Sequence, residues 1–196
     1  MDNPTKISVV LPVRDGEHRI VDRIEYLLDA LAAMTADRAE IVVVDDGSQD
    51  ATVEVVEELR TKHPTVRIVR HSRPRGMEAA GQSGLERALG ELVFIQETDS
   101  PIRIEDLQRL LRMSEDHSIV AARAESRPQP LSPALLRRLS AWGAAVEQQY
   151  NESEKARSPE PCCLQMVRRP HLYQLSSPKG GRVDLDNDTI RATSIS

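Results

Sequence analysis

Five short apolar runs separated by stretches with helical spacing limit the fold more than any other feature of this sequence. The runs are rich in β-branched residues and occupy residues 7–11, 41–44, 66–69, 92–95 and 119–122. Each is bounded by polar or turn residues, as buried parallel strands are. Apolar residues recur with helical spacing between them. This alternation predicts an α/β domain with right-handed crossovers over the first 122 residues.

The second half of the chain has a different pattern. Residues 125–133 carry three prolines and predict a loop, after which residues 134–149 have the spacing of a helix. A further strand is predicted at residues 162–167 and a short helix at 170–175. The chain is polar from residue 176 onward, with little periodicity and little sign of order. We therefore expect one domain over residues 1–175 and a polar tail over 176–196.

Composition and charge exclude several classes of protein. The 196 residues suit one domain, and with only five aromatic residues the core must be mainly aliphatic, as in parallel sheets covered by helices. The net charge of -5 and the lack of a basic stripe argue against nucleic acid as a partner. No apolar run could cross a bilayer, and the start MDNPTKISVV lacks the features of a signal peptide, so we expect no transmembrane segment and a cytoplasmic location. The adjacent Cys162 and Cys163 make neither a disulfide framework nor a metal site by themselves.

Chemistry-bearing residues follow the ends of the predicted strands. In an open parallel sheet, ligands bind outside the carboxyl ends of the strands, where the strand order reverses. Carboxylates occur in three of the segments that follow a strand, at residues 12–16, 45–48 and 97–99, and arginines occur in a fourth, at residues 70–76. This combination predicts a pocket for phosphate and a metal ion.

Asp45 and Asp46 form the most informative pair. One interpretation is turn and capping chemistry, with Ser48 or Asp50 capping the following helix. That explains Ser48 and Asp50 better than it explains two consecutive acids, which repel each other unless something donates hydrogen bonds to them. A nucleoside base or a ribose would supply such donors.

Four segments in succession resemble the motifs of glycosyltransferase family 2. They are ISVVLPVRDGEHRI, EIVVVDDGSQDAT, RPRG with AAGQSGLERALGELVF, and ETDSPIRIEDL. Their order and spacing are similar to the branch that contains dolichol-phosphate mannose synthases, over roughly residues 6–123 and more weakly to 175. The resemblance implies the GT-A fold, a Rossmann-like, mostly parallel sheet with helices on both faces. It also implies transfer of a sugar from a UDP- or GDP-linked donor to a lipid phosphate or a saccharide.

The resemblance assigns roles in nucleotide binding. Pro12, Arg14 and Asp15 stand where the first loop of the family touches the nucleoside. Asp45 and Asp46 occupy the pair of which one contacts the base.

Further roles concern the diphosphate and the acceptor. Arg75 and Gly76 fall on the segment that passes near the diphosphate. Glu97 and Asp99 fall on the Asp-x-Asp motif, the catalytic pair that holds Mg2+ or Mn2+ as a Lewis acid on the leaving group. Arg123, which the sequence places at the end of the fifth strand, could hold an anionic acceptor; a surface ion pair explains it equally well.

Several positions depart from the family pattern. Glu97 stands where Asp is usual, and Mg2+ accepts misplaced ligands poorly. Pro101 replaces a Gln that often helps the metal, and Met77 and Glu78 replace a Lys-Gly beside the phosphates. These changes favour either an enzyme with an unusual donor or a catalytically inactive binding or scaffold protein with the same fold that has lost the metal and diphosphate site.

The DDGS segment is also compatible with a phospho-receiver domain. Such a domain needs a lysine after a later strand, and the chain has no lysine between Lys62 and Lys155. We therefore rank this interpretation far lower.

A lipid-phosphate acceptor would require peripheral contact with the inner membrane face. The helix predicted at residues 134–149, with Arg137 and Arg138, is the candidate for it, although packing on the domain explains that helix better.

Overall fold

The computed structural model describes residues 5–97, 99, 101–126, 162–169, 180–185 and 188–194. The strands within this part of the chain are β1 (Ile7–Val13), β2 (Ala39–Asp45), β3 (Val66–Arg70), β4 (Leu92–Gln96), β5 (Ile119–Ser126), β6 (Cys162–Arg168), β7 (Gly180–Leu185) and β8 (Asp188–Ser194). The helices are α1 (Ile20–Met34), α2 (Thr52–Lys62), α3 (Met77–Arg87) and α4 (Ile104–Met113). All five predicted strands and the alternation with helices are confirmed.

The strands form one mixed sheet in the order β3-β2-β1-β4-β6-β5-β8-β7. The first four pair in parallel, while β6, β5, β8 and β7 pair antiparallel. Strand order reverses at β1, since β2 and β3 lie on one side of it and β4 on the other. The crevice for a ligand is therefore expected outside the carboxyl ends of β1 and β4.

Alternating side chains of the central strands feed two hydrophobic layers. Val9 and Leu11 face the layer that contains the buried residues of α1, α2 and α4, while Val10 faces the layer that contains those of α3. On β4, Phe94 and Ile95 divide in the same way. Fully burying such a side chain stabilises a fold by roughly 1.5–3 kcal/mol. Helices thus cover both faces of the sheet, and the predicted α/β class is confirmed.

Helix α3 approaches the sheet closely at Gly84. A Cβ atom on this residue would lie 2.2 Å from Cγ1 of Val10 and 3.0 Å from Cγ2 of Val44. No other residue type fits here without movement of the helix, so Gly84 sets how deeply α3 sits on β1 and β2.

The C-terminal strands extend the sheet beyond the predicted domain boundary. Strand β6 confirms the strand predicted at residues 162–167, and its first residue, Cys162, pairs with Ser126 at the end of β5. Strands β7 and β8 form a hairpin whose second strand pairs with β5. The expectation of little order after residue 176 is therefore wrong for β7 and β8. Pairing with β6 leaves β5 a second edge, whose backbone groups can pair with any extended segment, and β8 pairs there.

The predicted domain boundary and two predicted helices also belong to this half of the chain. The division into residues 1–175 and 176–196 stays a prediction, and the helices predicted at 134–149 and 170–175 lie outside the described residues. Among the helices that the structure describes, none has the length and apolar character needed to cross a bilayer.

Candidate functional site

Two loops at the carboxyl edge of the sheet are joined by hydrogen bonds. The loop after β1 contributes Asp15, whose N–H donates to Oγ of Ser48 at 2.9 Å in the loop after β2. The N–H of Gln49 donates in return to Oδ1 of Asp15 at 2.9 Å. Asp15 adopts a φ of 49°, the left-handed region that non-glycine residues enter at a cost of order 1 kcal/mol. The reciprocal bonds hold it there.

The residues predicted at the nucleoside lie together around these loops. Pro12 is buried within β1 opposite Val44, and the next pair in the register brings Val13 opposite Asp45. Arg14 and Asp15 are exposed, with Nε of Arg14 3.6 Å from Oδ2 of Asp15. The structure thus groups Pro12, Arg14 and Asp15 beside the end of β2.

Asp45 is fully buried at the end of β2. Its Oδ1 accepts a hydrogen bond from the N–H of Ser48 at 3.2 Å. Its Oδ2 accepts no hydrogen bond from any described residue, and its ion-pair partner Arg70 lies at 3.6 Å through Nε. A buried carboxylate oxygen without a hydrogen bond is uncommon in folded proteins, and a ligand with an N–H or O–H group would satisfy it.

Asp46 binds the segment that precedes α3. Its Oδ1 accepts from the N–H of Arg75 at 2.8 Å, and its Oδ2 accepts from the N–H of Gly76 at 2.7 Å. A ring nitrogen of His71, Nδ1, lies 2.7 Å from the same Oδ1. Burial alone would raise the pKa of Asp46, but the hydrogen bonds from His71, Arg75 and Gly76 outweigh it and lower the pKa below its ordinary value. Each carboxylate of the pair therefore accepts at least one backbone hydrogen bond, and Oδ2 of Asp45 is the oxygen that accepts none from the described residues.

Glu97 projects into a cavity of about 430 Å³ between α3 and strands β4, β5 and β6. Its Oε2 accepts a hydrogen bond from Nε of Arg123 at 2.5 Å. Glu97 also donates its backbone N–H to the carbonyl of Cys163 on β6 at 2.9 Å. The polar lining of the cavity consists of Glu78, Gln82, Gln96, Glu97, Arg123 and Gln165.

Arg123 lies inside β5 rather than at its end, so the sequence prediction was wrong on this point. The apolar run ends at Ala122, but β5 continues to Ser126 because β6 and β8 pair with it on both sides. Its guanidinium nevertheless reaches the carboxyl edge, where it pairs with Glu97 and lies 3.7 Å from Glu125.

Asp99 points in another direction, toward α1. Its Oδ2 accepts from Nη1 of Arg19 at 2.7 Å, and its Oδ1 accepts from Nη1 of Arg23 at 3.0 Å. Arg23 also donates through Nη2 to the backbone carbonyl of Asp99. Burial would raise the pKa of Asp99, but the two guanidinium groups outweigh it and lower the pKa.

The predicted cation site can be tested against this arrangement. Carboxylate oxygens are the ligands that Mg2+ and Mn2+ prefer. Here Glu97 and Asp99 lie with different arginines, and the described residues contain no group of three side chains that could hold a metal ion. The two carboxylates have the chemistry of a cation site but not its arrangement, since a cation would have to replace guanidinium groups.

The Oγ atom of Ser83 lies 2.9 Å from Nε2 of His71 and so joins the site. Four residues of the site were assigned no role by sequence reasoning, namely His71, Ser83, Arg19 and Arg23. His71 directly follows β3 at the carboxyl edge, which is a signal that could have found it. Arg19 and Arg23 contact a residue that lies 80 and 76 positions away. Ser83 lies within α3 and carried no local signal.

Two curated proteins are similar to part of this chain. A dolichyl-phosphate beta-glucosyltransferase of Trichomonas vaginalis is 34% identical over 96 residues, which make up 45% of this chain and 28% of that protein. A dolichol-phosphate mannosyltransferase of Pyrococcus furiosus is 30% identical over 119 residues, or 59% of this chain and 32% of that protein. The chain thus matches about a third of the length of each relative.

A solved structure confirms the fold. The mannosyltransferase PcManGT from Pyrobaculum calidifontis, solved in complex with GDP-Man and Mn2+, matches with a TM-score of 0.52 at 22% identity. The match covers 91% of this chain and 48% of that protein, and at this identity it shows the GT-A fold alone.

One protein family matches most of the chain. The model of the family described as glycosyl transferase family 2 matches residues 8–172, which include both loops, the Asp45-Asp46 pair and the ends of β4 and β5. The chain belongs to glycosyl transferase family 2.

Proposed function

We propose that this chain is the donor-binding part of a glycosyltransferase that uses a nucleotide-diphosphate sugar. The observation that carries the proposal is Oδ2 of Asp45, a fully buried acceptor that receives no hydrogen bond from the residues the structure describes and lies at the edge where this fold binds ligands. Family membership supports the reaction class.

The described contacts suggest how the donor is oriented. Asp45 would accept a hydrogen bond from the base, beside Pro12 and the exposed Arg14 and Asp15. Asp46 fixes the segment that carries Arg75, whose exposed guanidinium would contact the diphosphate. The donor would be linked to UDP or GDP.

The proposed reaction is substitution at the anomeric carbon of the donor sugar. An acceptor oxygen forms the new bond to that carbon, while the bond to the diphosphate oxygen breaks and the nucleoside diphosphate leaves with the electron pair. The acceptor would be a lipid phosphate, whose attacking oxygen is already ionised, or a saccharide, whose attacking hydroxyl would also release its proton to a neighbouring carboxylate or to water. Arg123 would hold an anionic acceptor in the cavity through the part of its guanidinium that Glu97 does not bind.

A role of Mg2+ or Mn2+ on Glu97 and Asp99 stays a prediction. The cation would have to displace Arg123 from Glu97, and Arg19 and Arg23 from Asp99. This same observation favours the second candidate function, a non-catalytic relative that binds a nucleotide but has lost the metal site.

Binding of nucleotides separates these possibilities. Unfolding temperature and calorimetry are measured with UDP, GDP and their sugar conjugates, each with Mn2+ and with EDTA. A ligand at about a hundred times its dissociation constant adds about 2.7 kcal/mol to the free energy of unfolding. The Asp45→Asn variant, which places an amide where the base requires an acceptor, should bind at least tenfold more weakly. The control is Glu54→Gln, which makes the same change on the exposed face of α2.

The outcomes are distinct. Binding that Asp45→Asn weakens, followed by transfer of the sugar or its slow release to water, supports the transferase. Binding without any turnover supports the non-catalytic relative. If the folded wild-type protein binds none of these nucleotides, both functions are wrong.

A further inference from the structure

A chain of three hydrogen-bonded side chains connects the end of β2 with the middle of α3. The carboxylate of Asp46 lies 2.7 Å from Nδ1 of His71, and Nε2 of His71 lies 2.9 Å from Oγ of Ser83. Asp46 is 2% exposed and His71 is 7% exposed, so water competes little with these contacts. Ser83 falls within a segment that resembles the family, but of the three residues only Asp46 was assigned a role by that resemblance.

The acceptor at one end of this chain determines the direction of its hydrogen bonds. Asp46 is ionised, because its pKa is lowered, and accepts only. Nδ1 of His71 must therefore carry a proton and donate it to Asp46. In the neutral imidazole, Nε2 then accepts from the hydroxyl of Ser83, so Asp46 selects the tautomer and Ser83 satisfies the remaining ring nitrogen.

The position of His71 is itself fixed. Its backbone N–H donates to the carbonyl of Asp45 at 2.9 Å, directly after β3. On the other side, Ser83 lies one residue from Gly84, which sets how deeply α3 sits on the sheet. The imidazole of His71 thus lies between the end of β3 and helix α3. The distance of α3 from the sheet is set by Gly84 and not by the imidazole.

The three hydrogen-bonded side chains act on the backbone groups that the carboxylate of Asp46 also binds. The carboxylate binds two consecutive backbone N–H groups, those of Arg75 and Gly76. Gly76 has a φ of 95° and precedes the first residue of α3, so this turn needs an external partner to keep its shape. His71 shares Oδ1 with the N–H of Arg75 and so fixes the rotamer in which Asp46 can bind both groups.

The same order of carboxylate, imidazole and serine hydroxyl occurs in enzymes with a nucleophilic serine. Ser83 lies inside α3, where backbone N–H groups are used by the helix and cannot form the pair of donors that stabilises an oxyanion. A positioning role fits the geometry better than a nucleophilic one.

We propose that His71 is a positioning residue for the nucleotide donor, acting through Asp46 on the Arg75–Gly76 turn, with Ser83 holding the imidazole through Nε2. The proposal rests on the proposed function, since the turn is the segment that would contact the diphosphate. It adds two residues, His71 and Ser83, to the donor site without placing either in contact with the donor.

Two amide substitutions separate positioning from simple loss of packing. In His71→Asn the amide nitrogen takes the place of Nδ1 and keeps the bond to Asp46, whereas in His71→Gln it takes the place of Nε2 and keeps only the contact with Ser83. The dissociation constant of UDP or GDP, whichever the wild-type protein binds, is measured by calorimetry, and the unfolding temperature of each variant is recorded. His63→Asn and His63→Gln, at the end of α2, are the matched controls.

We expect His71→Gln to weaken binding at least tenfold and His71→Asn less than threefold, because a hydrogen bond to a charged group is worth about a factor of ten or more. Ser83→Ala should fall between them. The ¹⁵N shifts of the His71 imidazole should show a proton on Nδ1 in the wild-type protein.

Other results would overturn the proposal in recognisable ways. Equal dissociation constants in both His71 variants, or losses that follow the unfolding temperature alone, would contradict it while leaving the proposed function intact. A proton on Nε2 of neutral His71 would also contradict it. If the wild-type protein binds no nucleotide, the proposed function fails and the positioning role fails with it.

Discussion

The Nε atom of Arg123 lies 2.5 Å from Oε2 of Glu97, so the carboxylate predicted to bind a cation already has a cationic partner. Arg123→Gln removes that competing charge and keeps a polar side chain of similar reach. We expect Mn2+, measured by electron paramagnetic resonance with saturating UDP or GDP, to bind roughly tenfold more tightly to the variant. The control Arg60→Gln removes an exposed arginine that pairs with Glu57 on α2. An unchanged or weaker affinity for Mn2+ in Arg123→Gln would show that Glu97 is not a metal ligand.

Gly84→Ala should destabilise the fold although alanine favours helices. The new methyl group would lie 2.2 Å from Cγ1 of Val10, and overpacking of this kind costs about 1–3 kcal/mol, against a gain in helix propensity of about 1 kcal/mol. Urea unfolding should therefore show a net loss. Gly81→Ala is the matched control, because its added methyl would meet Cγ2 of Ile95 at 3.2 Å. Equal stability of the two variants would contradict the close contact between α3 and the sheet.

Glu40→Ala should be among the most destabilising single changes in the chain. Glu40 is 4% exposed and accepts hydrogen bonds from Ser8 Oγ at 2.6 Å, Leu89 N–H at 2.6 Å and Arg67 Nη1 at 3.0 Å. Removal of one partner from such a buried charged network costs about 3–5 kcal/mol. Denaturant unfolding measures the loss, and Glu57→Ala on the exposed side of α2 should stay within about 0.5 kcal/mol of the wild type. A loss of less than 1 kcal/mol for Glu40→Ala would refute the buried network.

Asp46 should make stability fall in acid. Its pKa is lower in the folded than in the unfolded chain, so the folded state binds the proton less readily and the carboxylate contributes stability above the unfolded value near pH 4. That contribution is lost as the pH falls through the lower folded value. The Asp46→Asn variant should be less stable than wild type at pH 7, and this difference should shrink below about pH 4. Thermal unfolding across this range tests the prediction, with Asp22→Asn on the exposed side of α1 as the control.

The sequence predicted those features that depend on neighbouring residues. The central strands were found because burial on both faces leaves an unbroken apolar run, and the loops of Asp15 and Asp45 were found because they follow those runs. The end of β5 was misplaced, since pairing with β6 and β8 extends the strand past its apolar segment. The surroundings of Asp99 could not be predicted, because its partners Arg19 and Arg23 lie at the start of α1, about 80 positions earlier.

The pairing of Ser126 with Cys162 bears on how this site can diversify during evolution. Both residues are held by this pairing, and they lie close to Glu97, whose N–H donates to the carbonyl of Cys163. The entropic cost of closing a connection grows only slowly with its length. Changes in the number of residues between Ser126 and Cys162 are therefore expected to leave the ladder of β4, β6 and β5, and with it the positions of Glu97 and Arg123, unaltered.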